Sequence, residues 1–397
     1  MDVGARDFDF LAFRYLPFRH GPSTADPEKD QVMLHRTLRL FALIGCLALA
    51  PSAFPIAVRM NTDSAKAVLE AMQNPALSHD EALKIARMRG NQGIIRKLNE
   101  FKIPATAESF ADALYAAAHG EQVTDSTEKS FYFDTVKPKV PQLLELIKQI
   151  ETNPQAFQTS IEQRIALFTP PNANIHLDGY IVAGGDGGGY AFGGTDFYLN
   201  IGIIDEFVVA KGVATHELYH AVQGAFAKDR SATAEAPIDL QSQARKTCDT
   251  TVKLFANLYE EGSAVYVEDI SLLSGARSAI GLRKQNDVMD GLRHIHMSVS
   301  LLEMSVVSLG ATPAVPYDDV YEVGFYGHAV LYNVGYVMAR AIAESDAPQG
   351  LAAFLTEPPY EFVLDYTQLP KYGTDDDHPR LEPNTIVAVN KLMGGCK

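Results

Sequence analysis

The 397-residue sequence has no tryptophan and only three cysteines, Cys46, Cys248 and Cys396. No two cysteines form a CxxC pair, which excludes a dense disulfide scaffold and a cysteine-ligated metal site. Basic residues are also scarce, since 34 Lys+Arg stand against 49 Asp+Glu and the net charge is −15. Such a chain repels phosphate backbones, so we expect no nucleic acid partner. The 47% of hydrophobic and 21% of charged residues indicate a globular protein with a sizeable core.

The apolar run at residues 38–50, LRLFALIGCLALA, is too short to cross a bilayer as a helix. Basic residues precede it, and Pro51-Ser52-Ala53 follow it, which is the pattern of a secretory signal peptide. We therefore predict a signal peptide over 33–53 that starts at Met33, with 1–32 as an upstream extension of the reading frame. The expected location is secreted or periplasmic, without a stable membrane span.

A second interpretation of the same run is a lipoprotein signal. Leu43-Ile44-Gly45-Cys46 resembles a lipobox, in which Cys46 would carry a lipid anchor. The apolar LALA that follows Cys46 argues against it, because the lipobox would cut the apolar core in half. If Cys46 leaves with a cleaved signal peptide, two cysteines remain, and Cys248 and Cys396 could then pair in an oxidising compartment.

The remaining chain divides by texture into three regions. Residues 54–168 are rich in helical patterns, among them SHDEALKIARMRG, where Ser78 and Glu81 fit a capping box and Gly90 would close the helix. Residues 169–345 begin with β-formers over 174–204, which predict a small antiparallel sheet whose glycine-rich run 184–194 forms a turn or flap. Residues 346–397 form a C-terminal segment. The expected class is α+β and predominantly helical, with a helical N-terminal lobe.

The sequence GVATHELYHAVQ contains an HExxH motif. His216 and His220 are four residues apart, so on a helix both imidazoles project from one face and can reach one zinc ion. Glu217 lies between them, where it can take a proton from a zinc-activated water. The spacing and the helical context predict one catalytic Zn²⁺ site.

A catalytic zinc site needs a third protein ligand. A metzincin would place Gly and His at positions that here hold Gln223 and Phe226, so that class is excluded. The segment LYEEGSAVYVED at 258–269 reads as a second helix that could supply Glu261, and the missing side chain of Gly262 would let the helices approach closely. Glu260 remains an adjacent competitor.

These two segments resemble the gluzincin metallopeptidases. HELYH matches their zinc helix, and the run from Glu261 to Glu268 looks like the NEGFAxYxE helix of zinc aminopeptidases. The overall order of elements is most similar to a bacterial family of zinc-dependent peptidases, over roughly 60–345. The resemblance implies a zincin-like catalytic core in 169–345. It also implies that His216, His220 and Glu261 bind zinc, and that Glu217 is the general base.

The sequence departs from these enzymes in three ways. It has no GAMEN-type exopeptidase motif before HExxH, and a longer gap precedes Glu261. Val265 stands where thermolysin-like enzymes carry an acidic residue, so Glu268 or Asp269 would have to orient a ligand histidine.

The donor that stabilises the transition state is expected in the later helix YEVGFYGHAVLYNVGYVMARAI. His328 and Tyr326 are the main candidates for this donor, and Tyr332 is a further one. An aromatic helix that only packs against the zinc helix is the alternative.

We therefore expect a secreted zinc metallopeptidase acting on a peptide or protein substrate, which would lie along an edge strand within 190–203. The competing hypothesis is a non-catalytic exported helical binding protein with a structural or vestigial zinc site. A structural zinc usually has four protein ligands, and the sequence offers no evident fourth, which favours catalysis.

Overall fold

The computed structural model describes residues 55–192, 194–232 and 243–396, with side chains in the 207–232 helix described up to residue 227. The predicted extension 1–32, the signal peptide 33–53 and the lipid-anchor candidate Cys46 lie outside the described residues. The divisions of the chain at 168 and 345 also stay predictions.

Helices form most of the described chain, which confirms a predominantly helical α+β fold. The N-terminal region contains α1 (Asp63–Met72), α2 (His79–Ala86), α3 (Arg89–Glu100), α4 (Ala107–His119), α5 (Ser126–Lys129), α6 (Phe133–Val136), α7 (Val140–Thr152) and α8 (Ser160–Ala166). Later helices are α9 (Phe207–Ala232), α10 (Gln243–Glu268), α11 (Ala279–Arg293), α12 (Ile295–Gly310), α13 (Tyr317–Glu322), α14 (Val330–Ala353), α15 (Pro359–Gln368) and α16 (Pro383–Met393). Single-turn 3₁₀ or π segments occur at Lys137–Lys139, Gln155–Thr159, Ile270–Gly275 and Val323–Gly327.

The sheet has four strands, β1 (Ile56–Asn61), β2 (Ile175–Val182), β3 (Gly189–Ala191) and β4 (Asp196–Asn200), in the order β1-β2-β4-β3. β1 pairs parallel with β2, and β2 pairs parallel with β4, while β3 pairs antiparallel with β4. The prediction of an antiparallel sheet was therefore wrong in pairing, because the sheet is mixed. β1 was missed, although it is the edge strand contributed by the mainly helical N-terminal region.

A buried asparagine fixes the glycine-rich segment between β2 and β3. Asn200 Nδ2 donates to the carbonyls of Gly185 and Gly187 at 3.0 and 3.2 Å, and its Oδ1 accepts from the amides of Gly184 and Gly202. Three glycines of this segment have positive φ, which favours glycine. The segment therefore holds β3 in place against the end of β4.

The N-terminal helices follow the predicted pattern with one correction. Ser78 and Glu81 form the predicted capping box at the start of α2. Gly90, however, does not end a helix, because α2 stops at Ala86 and Gly90 lies in the first turn of α3. A Cβ at Gly90 would lie 2.7 Å from Ser64 Cβ, so this glycine allows α3 to pack against α1.

Helices α10 and α14 cross at two glycines without an intervening side chain. A Cβ on Gly262 would lie 2.1 Å from the Gly335 carbonyl carbon, and one on Gly335 would lie 2.2 Å from the Leu258 oxygen. The sequence predicts that Gly262 allows close approach of the HExxH helix, α9. In the structure, Gly262 instead allows close approach of α14. The crossing brings the backbones of two buried helices into direct contact.

A disulfide between Cys248 and Cys396 joins α10 to the residues that follow α16, across 148 residues of sequence. Cys248 is buried in the core. Among the described helices, none has the length and apolar character needed to cross a membrane.

The glycine crossing predicts a large and specific loss of stability. We expect Gly335→Ala to lower the free energy of unfolding by about 3 kcal/mol or more, because the added methyl meets backbone atoms that cannot move aside. Gly310→Ala is the matched control, since its Cβ would meet only Thr247 Cγ2 at 4.0 Å. That variant should stay within about 1 kcal/mol of the wild type. Urea denaturation measures both, and equal stability of the two variants would contradict the crossing.

Candidate metal centre

Helix α9 carries the two motif histidines on one face. The rings of His216 and His220 meet edge to face with centroids 4.7 Å apart, and their Nε2 atoms are 3.0 Å apart. Two imidazole nitrogens at this distance repel each other if both carry a lone pair or both carry a proton. The contact is favourable only if a single proton or a cation lies between them. The two side chains therefore converge on one point.

Helix α10 brings a carboxylate to the same point. Glu261 Oε2 lies 3.5 Å from His216 Nε2 and 3.4 Å from His220 Nε2. These three residues are the group of metal-type donors that meets within the described part of the chain. Glu260, the adjacent competitor, is not in that group.

The three donors suit a zinc ion in type, number and spacing. Zinc binds histidine nitrogen and carboxylate oxygen at about 2.0–2.2 Å in a tetrahedron, so two ligand atoms lie about 3.3–3.5 Å apart. The observed separations of 3.0, 3.4 and 3.5 Å are close to these values. Three protein ligands leave a fourth position for water or substrate, as catalytic zinc sites do. Zinc binding by these residues stays a prediction.

Gln223 orients the second histidine. Its Oε1 lies 2.7 Å from His220 Nδ1, and its Nε2 donates to the Glu260 carbonyl and to Ser263 Oγ, both at 2.9 Å. This contact leaves His220 Nε2 to face the metal position. In the sequence, Gln223 indicated only that the chain is not a metzincin. Its position three residues after His220, on the same helical face, was the available signal.

Glu268 faces the first histidine from the other side. Its Oε2 lies 3.4 Å from His216 Nδ1, which is long for a hydrogen bond, so the attraction is mainly electrostatic. Its other oxygen forms a close ion pair with Lys284 of α11. Burial alone raises the pKa of Glu268, but the Lys284 and His216 charges outweigh it and lower that pKa to about 2. Glu268 and Asp269 were the two alternatives for orienting a ligand histidine. Glu268 faces His216, whereas Asp269 accepts a hydrogen bond from Ser271.

Electrostatic attraction between the Glu261 carboxylate and the two histidines stabilises their charged forms without a metal ion. Burial by itself lowers the pKa of His220, but the Glu261 carboxylate overcomes this and raises it to about 10. Burial by itself also lowers the pKa of His216, but the carboxylates of Glu261 and Glu268 outweigh it and raise that pKa. Burial disfavours the charged form of Glu261, yet the histidines hold its pKa far below the usual range. A zinc ion must therefore displace histidine protons, whereas the carboxylate is already charged.

Glu217 lies where α9 meets the sheet edge. A Cβ on Gly189 would lie 2.8 Å from Glu217 Cγ and 2.8 Å from Val213 Cγ1, so the first residue of β3 packs directly on this turn of α9. β3 is the edge strand, whereas β4 is interior. The predicted edge strand in 190–203 is thus corrected to the shorter β3, which ends at Ala191.

Tyr332 is the late aromatic residue that the structure brings to the metal centre. Its ring stacks on that of His216, with centroids 6.3 Å apart at 22°. Burial and the nearby Glu261 and Glu217 charges raise the pKa of its hydroxyl well above the usual range.

The other two transition-state candidates are not brought to this position. Tyr326 is 76% exposed, and neither Tyr326 nor His328 lines the cavity beside Glu217. His328 is placed instead near His294, with ring centroids 6.5 Å apart. Of the three candidates, Tyr332 is the one that lines the cavity together with His216 and Glu217.

Comparison with known families gives one match. Residues 83–373 match the model of a family described as "Putative zinc dependent peptidase (DUF5700)". The matched range covers most of the chain and includes His216, Glu217, His220 and Glu261. No curated protein and no solved structure matches the chain.

The geometry predicts which glutamate binds metal. We expect Glu261→Gln to weaken zinc binding more than Glu268→Gln, for which the loss should be about 10- to 100-fold, as is typical for partners of metal ligands. Glu260→Gln is the matched control and should leave zinc affinity unchanged. Competition with a chromophoric chelator measures each dissociation constant. If Glu260→Gln lost more affinity than Glu261→Gln, the assignment of Glu261 would be wrong.

Proposed function

Because the chain belongs to this peptidase family, we propose that it is a gluzincin-type zinc metallopeptidase that hydrolyses peptide bonds. The observation that carries the proposal is the convergence of His216, His220 and Glu261 beside Glu217 and an edge strand. Gluzincin type denotes a third ligand that is a glutamate from a second helix, and Glu261 on α10 fits this description.

In the proposed reaction, His216, His220 and Glu261 would hold a zinc ion, which would supply Lewis-acid activation of the scissile carbonyl and of the attacking water. Glu217 accepts a proton from the attacking water, which adds to the carbonyl carbon. Glu217 then returns the proton to the amide nitrogen as the C–N bond breaks, which releases a carboxylic acid and an amine; a second proton passes from the acid to the amine, giving carboxylate and ammonium. Gln223 and Glu268 keep the histidine rings oriented throughout.

Tyr332 is the proposed donor to the oxygen that becomes negative in the transition state. Burial and the carboxylates of Glu261 and Glu217 raise the pKa of its hydroxyl, so it keeps its proton at neutral pH. A protonated hydroxyl that is fixed beside the reacting carbonyl can stabilise an oxyanion without any rearrangement.

The substrate backbone would add to β3. Within the described sheet, β3 is a terminal strand, so one of its edges lacks a strand neighbour. An extended peptide can pair with such an edge through main-chain hydrogen bonds. Gly189 supports this position because it lets β3 lie on the turn of α9 that carries Glu217.

We propose that the protein acts outside the cytoplasm. The predicted signal peptide and the Cys248–Cys396 disulfide support export, because such bonds persist in oxidising compartments. In protein from its natural host we expect an N terminus near residue 54 and no free thiol. N-terminal sequencing and mass spectrometry with and without reductant measure these, and retention of 33–53 together with free thiols would contradict export.

Paired variants test the mechanism. Glu217→Gln should lower kcat/KM for peptide hydrolysis by about 100- to 10,000-fold while zinc affinity stays near that of the wild type, because Glu217 is not a ligand. Tyr332→Phe should lower kcat by about 100- to 1000-fold. Tyr326→Phe is its matched control, since that exposed side chain lies outside the cavity. Hydrolysis that survives Glu217→Gln would refute the proposed role of Glu217.

A further inference from the structure

A cavity of about 350 Å³ opens directly beside His216 and Glu217. Four helices and the turn after α10 enclose it, so its shape is set by packed elements. Helix α11 contributes one face through residues spaced by four positions. The larger apolar side chains of the wall are Val213, Val265, Ile270, Val288, Leu292 and Tyr336.

Three residues of the apolar wall keep a small accessible surface. Val213, Val265 and Tyr336 remain 8%, 9% and 8% exposed, whereas Ala214, Ala264 and Val337 beside them are at 0%, 0% and 1%. Three residues from three different helices thus present apolar surface to the same space. Covering that surface with a ligand removes it from water and is favourable.

Most charged side chains that line the cavity already interact with other residues of the protein. Lys284 and Glu268 form an ion pair with each other, and Glu268 also faces His216. Glu217 faces the reacting bond in the proposed mechanism. Asp287 remains at the rim, where it is exposed, and a rim ion pair is worth only about 0–1 kcal/mol. The cavity therefore offers a charged ligand little compensation for lost hydration.

We propose that this cavity binds a large apolar side chain, such as leucine, methionine or phenylalanine, of the residue on one side of the cleaved bond. The inference rests on the proposed peptidase activity. Proximity supports it, because His216 belongs both to the cavity wall and to the metal centre, and the adjacent Glu217 also lines the wall. A volume of about 350 Å³ is within the range of small-ligand pockets and admits any of these side chains.

A peptide series tests the preference in the zinc-loaded full chain. The peptides are identical except at the residue before or after the cleaved bond, which is Leu, Phe, Ala, Asp or Lys in turn. We expect Leu and Phe at one of these two positions to raise kcat/KM about 10- to 200-fold over Ala, as measured by mass spectrometry. The same series with Glu217→Gln shows how much cleavage comes from this site.

Filling the cavity should change the preference. Val288→Phe places a larger side chain on the α11 wall, so we expect cleavage after or before Phe to fall about 10-fold or more while cleavage at Ala is retained. Met289→Phe is the matched control, because Met289 is adjacent, 54% exposed and outside the cavity wall. Thermal unfolding and zinc content show that both variants keep their fold.

The outcomes separate the two levels of the proposal. Glu217-dependent cleavage without an apolar preference, or with Lys preferred, would overturn the cavity assignment and leave the peptidase intact. An unchanged Phe preference in a folded Val288→Phe variant would also overturn it. If no peptide of the series, nor an unrelated protein digest, shows Glu217-dependent cleavage, both the peptidase and the cavity assignment fail.

Discussion

The glycine-to-glycine crossing of α10 and α14 is the contact on which the arrangement of the site depends. Glu261 immediately precedes Gly262, and Tyr332 lies one helical turn before Gly335, so both side chains leave their helices next to the crossing point. Any side chain at either glycine would push the helices apart and separate the two groups. The spacing between the Glu261 carboxylate and the Tyr332 phenol is thus set by backbone contact.

Around this crossing, each buried carboxylate is paired with a neighbouring basic side chain. Glu261 faces His216 and His220, and Glu268 faces His216 and Lys284, so each carboxylate has cationic or proton-donating neighbours. Buried ions persist in proteins when they are paired in this way, and removing one member leaves an uncompensated charge. The site is therefore held together before any cation binds, and its residues come from three helices rather than one.

The sequence predicted the parts of the site that follow from local spacing. HExxH and the glutamate-glycine helix identified His216, His220 and Glu261, which the structure brings together, and local capping at Ser78 was also read correctly. Parallel strand pairing, the place of β1 and the ion pair of Lys284 depend on contacts between distant segments, which local periodicity does not encode. The same limit explains why Gly90 was predicted to end a helix and Gly262 to face the zinc helix, whereas Gly90 packs against α1 and Gly262 against α14.

The hydrogen bonds between Asn200 and the glycine-rich segment restrict the conformations that its glycines would otherwise allow. Glycine ordinarily gives a loop many accessible conformations, and a peptide docking beside it would then lose part of its binding energy in freezing them. Because one buried side chain already holds four backbone groups of this segment and its surroundings, that entropy is lost during folding. The edge strand is consequently held in one conformation, and the glycines of the segment before it provide shape instead of mobility.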